Sequence, residues 1–129
     1  MNPKLAKWED RLHAILHDID SKLEDKYGKI APLHPARPAR GDAGSPQYDG
    51  LFRVTAPFTA GYGSGLGAGY LFRIEFVTLS RIAPDVVSKI KSEAVAMLKK
   101  ELDMAFPGKN LSVDQDGASY KIHGDLSLE

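Results

Sequence analysis

Two histidines one helical turn apart are the first residues of this chain that could do chemistry. His13 and His17 stand in a charged segment with Asp10, Asp20 and Glu24. Histidines at positions i and i+4 of a helix lie on one face and can share a metal ion, if an acid or another histidine supplies a third ligand. The same spacing is typical of a solvated helix face. The sequence therefore favours no metal, with His13 and His17 as the candidate ligands if one binds.

A glycine run, GYGSGLGAGY, occupies residues 61–70 with a glycine at every second position. Bare backbone N–H groups can close around a phosphate, which makes Gly63, Gly65 and Gly67 candidate ligand contacts. The run lacks the lysine of a Walker A loop, and no helix begins where a dinucleotide fingerprint needs one. A glycine-rich hairpin connection over 59–69 is the simpler interpretation, and self-association of bare strands is a third.

A Pro-x-x-Pro-x-Arg pattern lies within residues 28–50, a segment rich in proline and glycine. In an extended left-handed helix, this spacing presents Pro35, Pro38 and Arg40 to a proline-recognition groove. Arg37 and Arg40 alternatively meet a phosphate or an acidic surface. About twenty residues without regular structure are unusual in a compact domain, which indicates a loop or an arm that reaches a partner. A solvated linker has the same composition, so the partner contact is a hypothesis.

The composition excludes several kinds of chemistry. The chain has no cysteine, which rules out disulfides, thiolate catalysis and cysteine-ligated metals. Its 17 basic residues balance 17 acidic ones, which argues against a protein that binds nucleic acid or an anionic membrane with its whole surface. Ser64 lies among glycines but not in a nucleophile elbow between a strand and a helix. The sequence favours binding over catalysis, without a cofactor.

The elements that must position these residues follow from hydrophobic periodicity. Apolar residues at steps of three and four predict a long helix over 3–27 and a second helix from Pro84 to Pro107-Gly108. Period-two alternation predicts strands over 51–58 and 70–79, and over 111–115 and 118–126 around the turn dipeptide Asp116-Gly117. We therefore predict one α+β domain over residues 1–129, in the order α-β-β-α-β-β.

A two-layer sandwich satisfies all of these stripes, with a four-stranded antiparallel sheet and both long helices on its apolar face. The opposite face would carry Arg53, Arg73, Lys121 and His123, which could hold a phosphate backbone. The first helix would be ~37 Å long, which is more than the diameter of a domain of this size. Trp8, near its start, therefore folds back onto its own domain or packs against a second copy.

From these patterns we predict a small cytoplasmic protein that binds another protein and forms a homodimer. The chain begins without a signal-like apolar run and has no stretch of roughly 18 apolar residues, so we expect no membrane contact. The alternative is nucleic-acid or nucleotide-phosphate binding through the polar sheet face and the glycine run. The candidate partner contacts are Trp8, Pro35, Arg37, Pro38 and Arg40, and the candidate ligand contacts are Arg53, Arg73, Lys121, His123, Gly63, Gly65 and Gly67.

Overall fold

Two helices and five strands occupy the part of the chain described by a computed structural model, residues 3–43, 49–61, 65–117 and 119–124. The helices are α1 (Pro3–Tyr27) and α2 (Pro84–Ala105). The strands are β1 (Phe52–Thr55), β2 (Phe58–Thr59), β3 (Gly69–Phe76), β4 (Leu111–Asp116) and β5 (Ser119–Gly124). The prediction of an α+β fold is confirmed. Within the described ranges, neither helix combines the length and the apolar character that a membrane span requires.

The sheet is open and antiparallel, with the order β1-β3-β5-β4 and with β2 paired to β3. The predicted four strands become five because the stretch predicted as one strand over 51–58 is interrupted at Ala56-Pro57. Proline has no N–H to give to the ladder, so Pro57 only accepts, from the Leu71 N–H at 2.9 Å. The last hairpin also differs from the prediction: Asp116, predicted to lie in the turn, pairs with Ser119 and belongs to the strand, while Ala118 lies outside the described residues.

One face of the sheet forms the core. Phe52, Val54, Phe72, Val113 and Ile122 alternate along their strands and are buried together with the apolar stripes of both helices. Each such side chain contributes roughly 1.5–3 kcal/mol by leaving water. The helical members of this core are Leu12, Ile15, Leu16, Ile19 and Leu23 of α1, and Ile90, Ala94, Val95, Leu98 and Leu102 of α2.

The register places the predicted polar residues on the opposite face. Arg53 lies opposite Glu75, and Thr55 lies opposite Arg73. Lys121 lies opposite Leu71, which shares the face of Arg73 because residues two apart on a strand point the same way.

The two helices run antiparallel and are tied at both ends. Near the start of α1, Arg11 Nη1 donates to the carbonyl of Ala105 at 2.7 Å, at the end of α2 where the helix dipole favours a cation. At the other end of α1, the Tyr27 hydroxyl donates to Glu93 at 2.6 Å. The ring of Trp8 packs on Phe106, with 4.6 Å between ring centroids. Trp8 therefore folds back onto its own domain, one of the two outcomes expected from the sequence.

The segment between α1 and β1 has no regular structure where it is described, yet Arg37 fixes it to the domain. Its guanidinium donates to three backbone carbonyls, those of Asp49, Gly50 and Phe52, at 2.9 to 3.0 Å. Gly50 has a φ of +74°, and a Cβ there would lie 2.7 Å from a Glu24 carboxylate oxygen, so this position requires glycine. Arg37 thereby holds the end of this segment next to Phe52, the first residue of β1.

Arg40 completes this attachment through three carboxylates. It donates to Asp20 and Glu24 of α1 and to Asp49 at the end of the arm, and the Asp20 and Asp49 side chains are only 1% and 2% exposed. The Leu51 N–H in turn donates to Glu24 at 3.0 Å. We call Asp20, Glu24, Arg37, Arg40 and Asp49 the arginine latch.

Burial sets the protonation behaviour of the arginine latch. It raises the pKa of Asp20 from 3.8 to about 6, although the hydrogen bond and charge of Arg40 act in the opposite direction. Asp20 Oδ2 is buried and accepts no hydrogen bond from the described residues. The Asp20 carboxylate is therefore tolerated in the core only because Arg40 lies beside it.

Replacing Arg40 with methionine should destabilise the protein by about 3 kcal/mol at pH 8, because Asp20 and Asp49 would then be buried as anions without a cation. The loss should be smaller at pH 5.5. The pKa of Asp20 is already raised to about 6 and will rise further without Arg40, so protonation relieves the penalty as the pH falls.

Urea unfolding of wild type and Arg40→Met at the two pH values measures both effects. The control is Arg81→Met, since Arg81 is exposed and has no ion pair with any described residue. A loss of equal size at both pH values would contradict the role given to Asp20.

A second pair of acids joins the helices. Burial, together with the hydrogen bond and charge of Asp18 on α1, raises the pKa of Glu101 on α2 from 4.5 to about 7. The same hydrogen bond, together with Lys22 at 2.8 Å, lowers the pKa of Asp18. Glu101 therefore takes up a proton at a higher pH than a free glutamate, and its protonated form can donate to the Asp18 carboxylate.

We expect Glu101→Gln to stabilise the protein at pH 8.5 by on the order of 1 kcal/mol, a figure reduced for partial exposure, and to change little at pH 5. Because the pKa of Glu101 in the folded state is raised, its contribution to stability is lost as pH rises from 4.5 through about 7. Glutamine keeps the donor at every pH. Urea midpoints at both pH values test this, with the exposed Asp103→Asn on the same helix as control; a difference between wild type and Glu101→Gln that does not change with pH would refute it.

Candidate functional site

An open groove of about 490 Å³ lies between α1 and the outer edge of β1. One wall comes from α1, through Glu9, His13, Leu16 and His17. The other wall is the chain segment 53–58, with Arg73 and Glu75 of β3 next to it. We call this the edge groove. It brings together the histidine pair and two arginines of the polar sheet face, which the sequence offered as separate sites.

The backbone along the edge groove has unused hydrogen-bonding groups. The Val77 N–H donates to the carbonyl of Leu51 at 2.7 Å, and the Leu71 N–H donates to the carbonyl of Pro57 at 2.9 Å. The odd-numbered residues of this segment therefore direct their backbone hydrogen-bonding groups toward β3. By alternation, Val54, Ala56 and Phe58 turn their N–H and C=O groups toward the groove. The outward N–H and C=O groups of these three residues pair with no described residue.

The arginine latch closes one end of this edge. The outward carbonyl of Phe52 accepts from Arg37 Nη2 at 3.0 Å. The Leu51 N–H is taken by Glu24. The unpaired edge therefore begins at Val54, which is only 3% exposed, and opens through Ala56 to Phe58, which is 60% exposed.

The charged side chains of the edge groove are unequally compensated. Arg53 lies 3.9 Å from Glu75, and both are exposed, so this pair is weak. Arg73, opposite Thr55, has no carboxylate within 4.0 Å among the residues described. The described part of the chain contains no group of three histidine or acidic side chains arranged to hold a metal. His13 and His17 instead face the groove.

The other two residues predicted for the polar face, Lys121 and His123, do not line the edge groove. Lys121 is 1% exposed; its Nζ donates to the carbonyl of Gly67 at 2.7 Å and pairs with Asp116 at 3.0 Å. His123 Nε2 lies 2.7 Å from Asp114 Oδ2. The four side chains predicted to hold a phosphate are thus divided between the groove and two acid pairs.

The described part of the glycine run lies over Lys121 and brings two backbone segments together. A Cβ at Gly61 would lie 2.2 Å from the carbonyl carbon of Gly67, so the approach of these two residues requires glycine. Gly65 and Gly67 are exposed, and Gly67 turns its carbonyl, an acceptor, toward the lysine. Gly63, the third predicted ligand contact, lies outside the described residues.

The predicted partner contacts are likewise divided, between exposed and half-buried residues. Pro35 and Pro38 are exposed, whereas Arg37 and Arg40 are half-buried in the arginine latch. Trp8 is half-buried against Tyr70 and Phe106. The two prolines are therefore the members of this set that remain on the surface.

Sequence reasoning missed the outward backbone of Val54, Ala56 and Phe58, and also Glu9 on the opposite wall. A signal was available. Proline within a strand pattern is typical of an edge strand, so Pro57 could have placed the first strand at the border of the sheet.

Comparison with known proteins finds a relative and a family model that each cover most of this chain. A protein of Borreliella burgdorferi strain B31, described as "Uncharacterized protein", is 41% identical over 121 residues, which cover 94% of this chain and 94% of that protein. No solved structure matches the chain significantly. A family model with the description "Uncharacterised protein" matches residues 3–124. Since those residues include both helices and all five strands, the chain belongs to this family.

Proposed function

We propose that this protein is a protein-binding module whose edge groove receives an extended segment of another polypeptide as an added strand. The observation that carries the proposal is the row of outward backbone groups at Val54, Ala56 and Phe58, which pair with no described residue, with α1 as the facing wall. Strand addition to an exposed sheet edge is a common mode of peptide recognition, because backbone hydrogen bonds give affinity and side-chain pockets give specificity.

The way this edge is built supports the proposal. Proteins usually protect a free edge with proline or charge that blocks further pairing. Pro57 does not block this one, because its missing N–H faces β3 and not the groove. The three outward residues are apolar, and one of them, Phe58, is largely exposed. Each new backbone hydrogen bond would contribute about 0.5–1.5 kcal/mol, so the binding would be reversible.

The alternative, nucleotide or nucleic-acid binding, draws less support from the same contacts. Lys121 and His123 are engaged by Asp116 and Asp114, which leaves Arg53 and Arg73 as the exposed cations of the predicted set. Two arginines are a small positive surface for a phosphate backbone.

The homodimer and the cytoplasmic location predicted from the sequence accompany this proposal as predictions. A second copy can itself supply the added strand. In that case, native mass spectrometry of the tag-free protein will show a dimer of the 14.1 kDa chain that a block of the edge abolishes.

Ala56→Pro should block strand addition without disturbing the sheet. The Ala56 N–H points into the groove, so proline removes a donor that β3 does not use. Peptides selected from a phage-displayed random dodecapeptide library against the wild-type protein should bind this variant at least about 10-fold more weakly. Fluorescence anisotropy with the labelled peptides gives the affinities.

The matched control is Ala56→Ser, which keeps the N–H and should bind like wild type. Hydrogen exchange should also show slower exchange of the Val54 and Phe58 amides when peptide is bound. If the selected peptides bind Ala56→Pro as tightly as Ala56→Ser, they occupy another surface and the proposal fails.

A further inference from the structure

We infer that the segment received by the edge groove carries acidic side chains at alternate positions, directed toward Arg53 and Arg73. The inference rests on the proposed strand addition and names the chemistry of the partner. It follows from the distribution of charge on the two sides of the groove.

An added strand would continue the sheet, so its side chains would alternate between the polar face and the side of α1. On the polar face its nearest neighbours would be Arg53 and Thr55 of β1. Adjacent strands lie about 4.8 Å apart, which puts Arg73 roughly 10 Å from the added strand. Thr55 lies between Arg73 and the added strand and has a short side chain. An extended Arg73 side chain and a glutamate of the added strand can therefore meet above it.

Both arginines can accept a new carboxylate. Arg73 has no ion pair within the described ranges. Arg53 has only the weak contact with Glu75 at 3.9 Å, between side chains that are 45% and 54% exposed. A carboxylate between the two guanidinium groups would form charge-assisted hydrogen bonds, which are stronger than neutral ones.

The side of α1 calls for different residues. Leu16, a core residue only 3% exposed, contributes to this wall between the two histidines, so apolar or β-branched side chains of the added strand fit there. Glu9, the acid on this wall, follows Trp8, whose ring centroid lies 5.6 Å from that of Tyr70, the partner of Phe58 in the sheet. Its negative charge therefore lies at the far end of the groove from Arg53. The expected pattern is acidic and apolar residues in alternation.

The test uses three fluorescein-labelled hexapeptides, X-Val-X-Val-X-Val, in which X is Glu, Gln or Lys. At low salt, the Glu peptide should bind at least 10-fold more tightly than the Gln peptide, and the Lys peptide should be weakest. Arg73→Gln and Arg53→Gln should each reduce the preference for Glu over Gln to about 3-fold or less. Arg81→Gln, at an exposed arginine outside the groove, should leave it unchanged.

Each outcome is decisive. If the Glu and Gln peptides bind equally, or if the preference survives both arginine variants, the inference is overturned while strand addition stands on the Ala56→Pro result. If none of the three peptides binds, the inference is also overturned, and the peptide selection alone decides the proposed function. If a twelve-residue oligo-dT binds through Arg53 and Arg73 where the Glu peptide does not, the groove takes nucleic acid and the inference fails.

Discussion

The contact of Arg40 with three carboxylates is the interaction on which the rest of the structure depends. Asp20 and Glu24 belong to α1, and Asp49 ends the arm, so one guanidinium joins the first helix to the entry of the sheet. A buried carboxylate is costly without such a partner. Arg37 then holds the Phe52 carbonyl, which fixes the point where the edge of β1 becomes free. The position of the groove is thus a consequence of where the arm is attached.

Much of the fold was predictable because its signals are local. The apolar stripe of α1 predicts the helix over 3–27 that is observed, and alternation in β1 and β3 places Arg53, Arg73 and Glu75 on the face opposite Phe52 and Phe72. The break at Ala56-Pro57 was less clear, since the chain keeps its register with β3 on both sides of it. The strand therefore divides without a change of direction.

The candidate site was not predictable, because its parts meet only through pairings distant in sequence. Arg40 donates to Asp20, which is 20 residues away in sequence, and Lys121 donates to the carbonyl of Gly67, which is 54 residues away. Spacing alone assigns both cations to solvent, whereas the fold buries Lys121 and half-buries Arg40. Likewise, the histidines and Arg73 face one groove only because α1 packs beside β1, which the order of strands decides.

The two borders of the sheet differ in a way that bears on function. At the β4 border, Asp114 and Asp116 are engaged with His123 and Lys121 of the neighbouring strand, so charge is used within the sheet. At the β1 border, the arginine latch covers the first outward residue and then stops, and the next three are apolar. A free edge whose outward residues are apolar is an aggregation hazard that proteins normally remove. Keeping such an edge beneath a helix is physically reasonable when another chain pairs with it, and this constraint favours strand addition over a purely structural role for the groove.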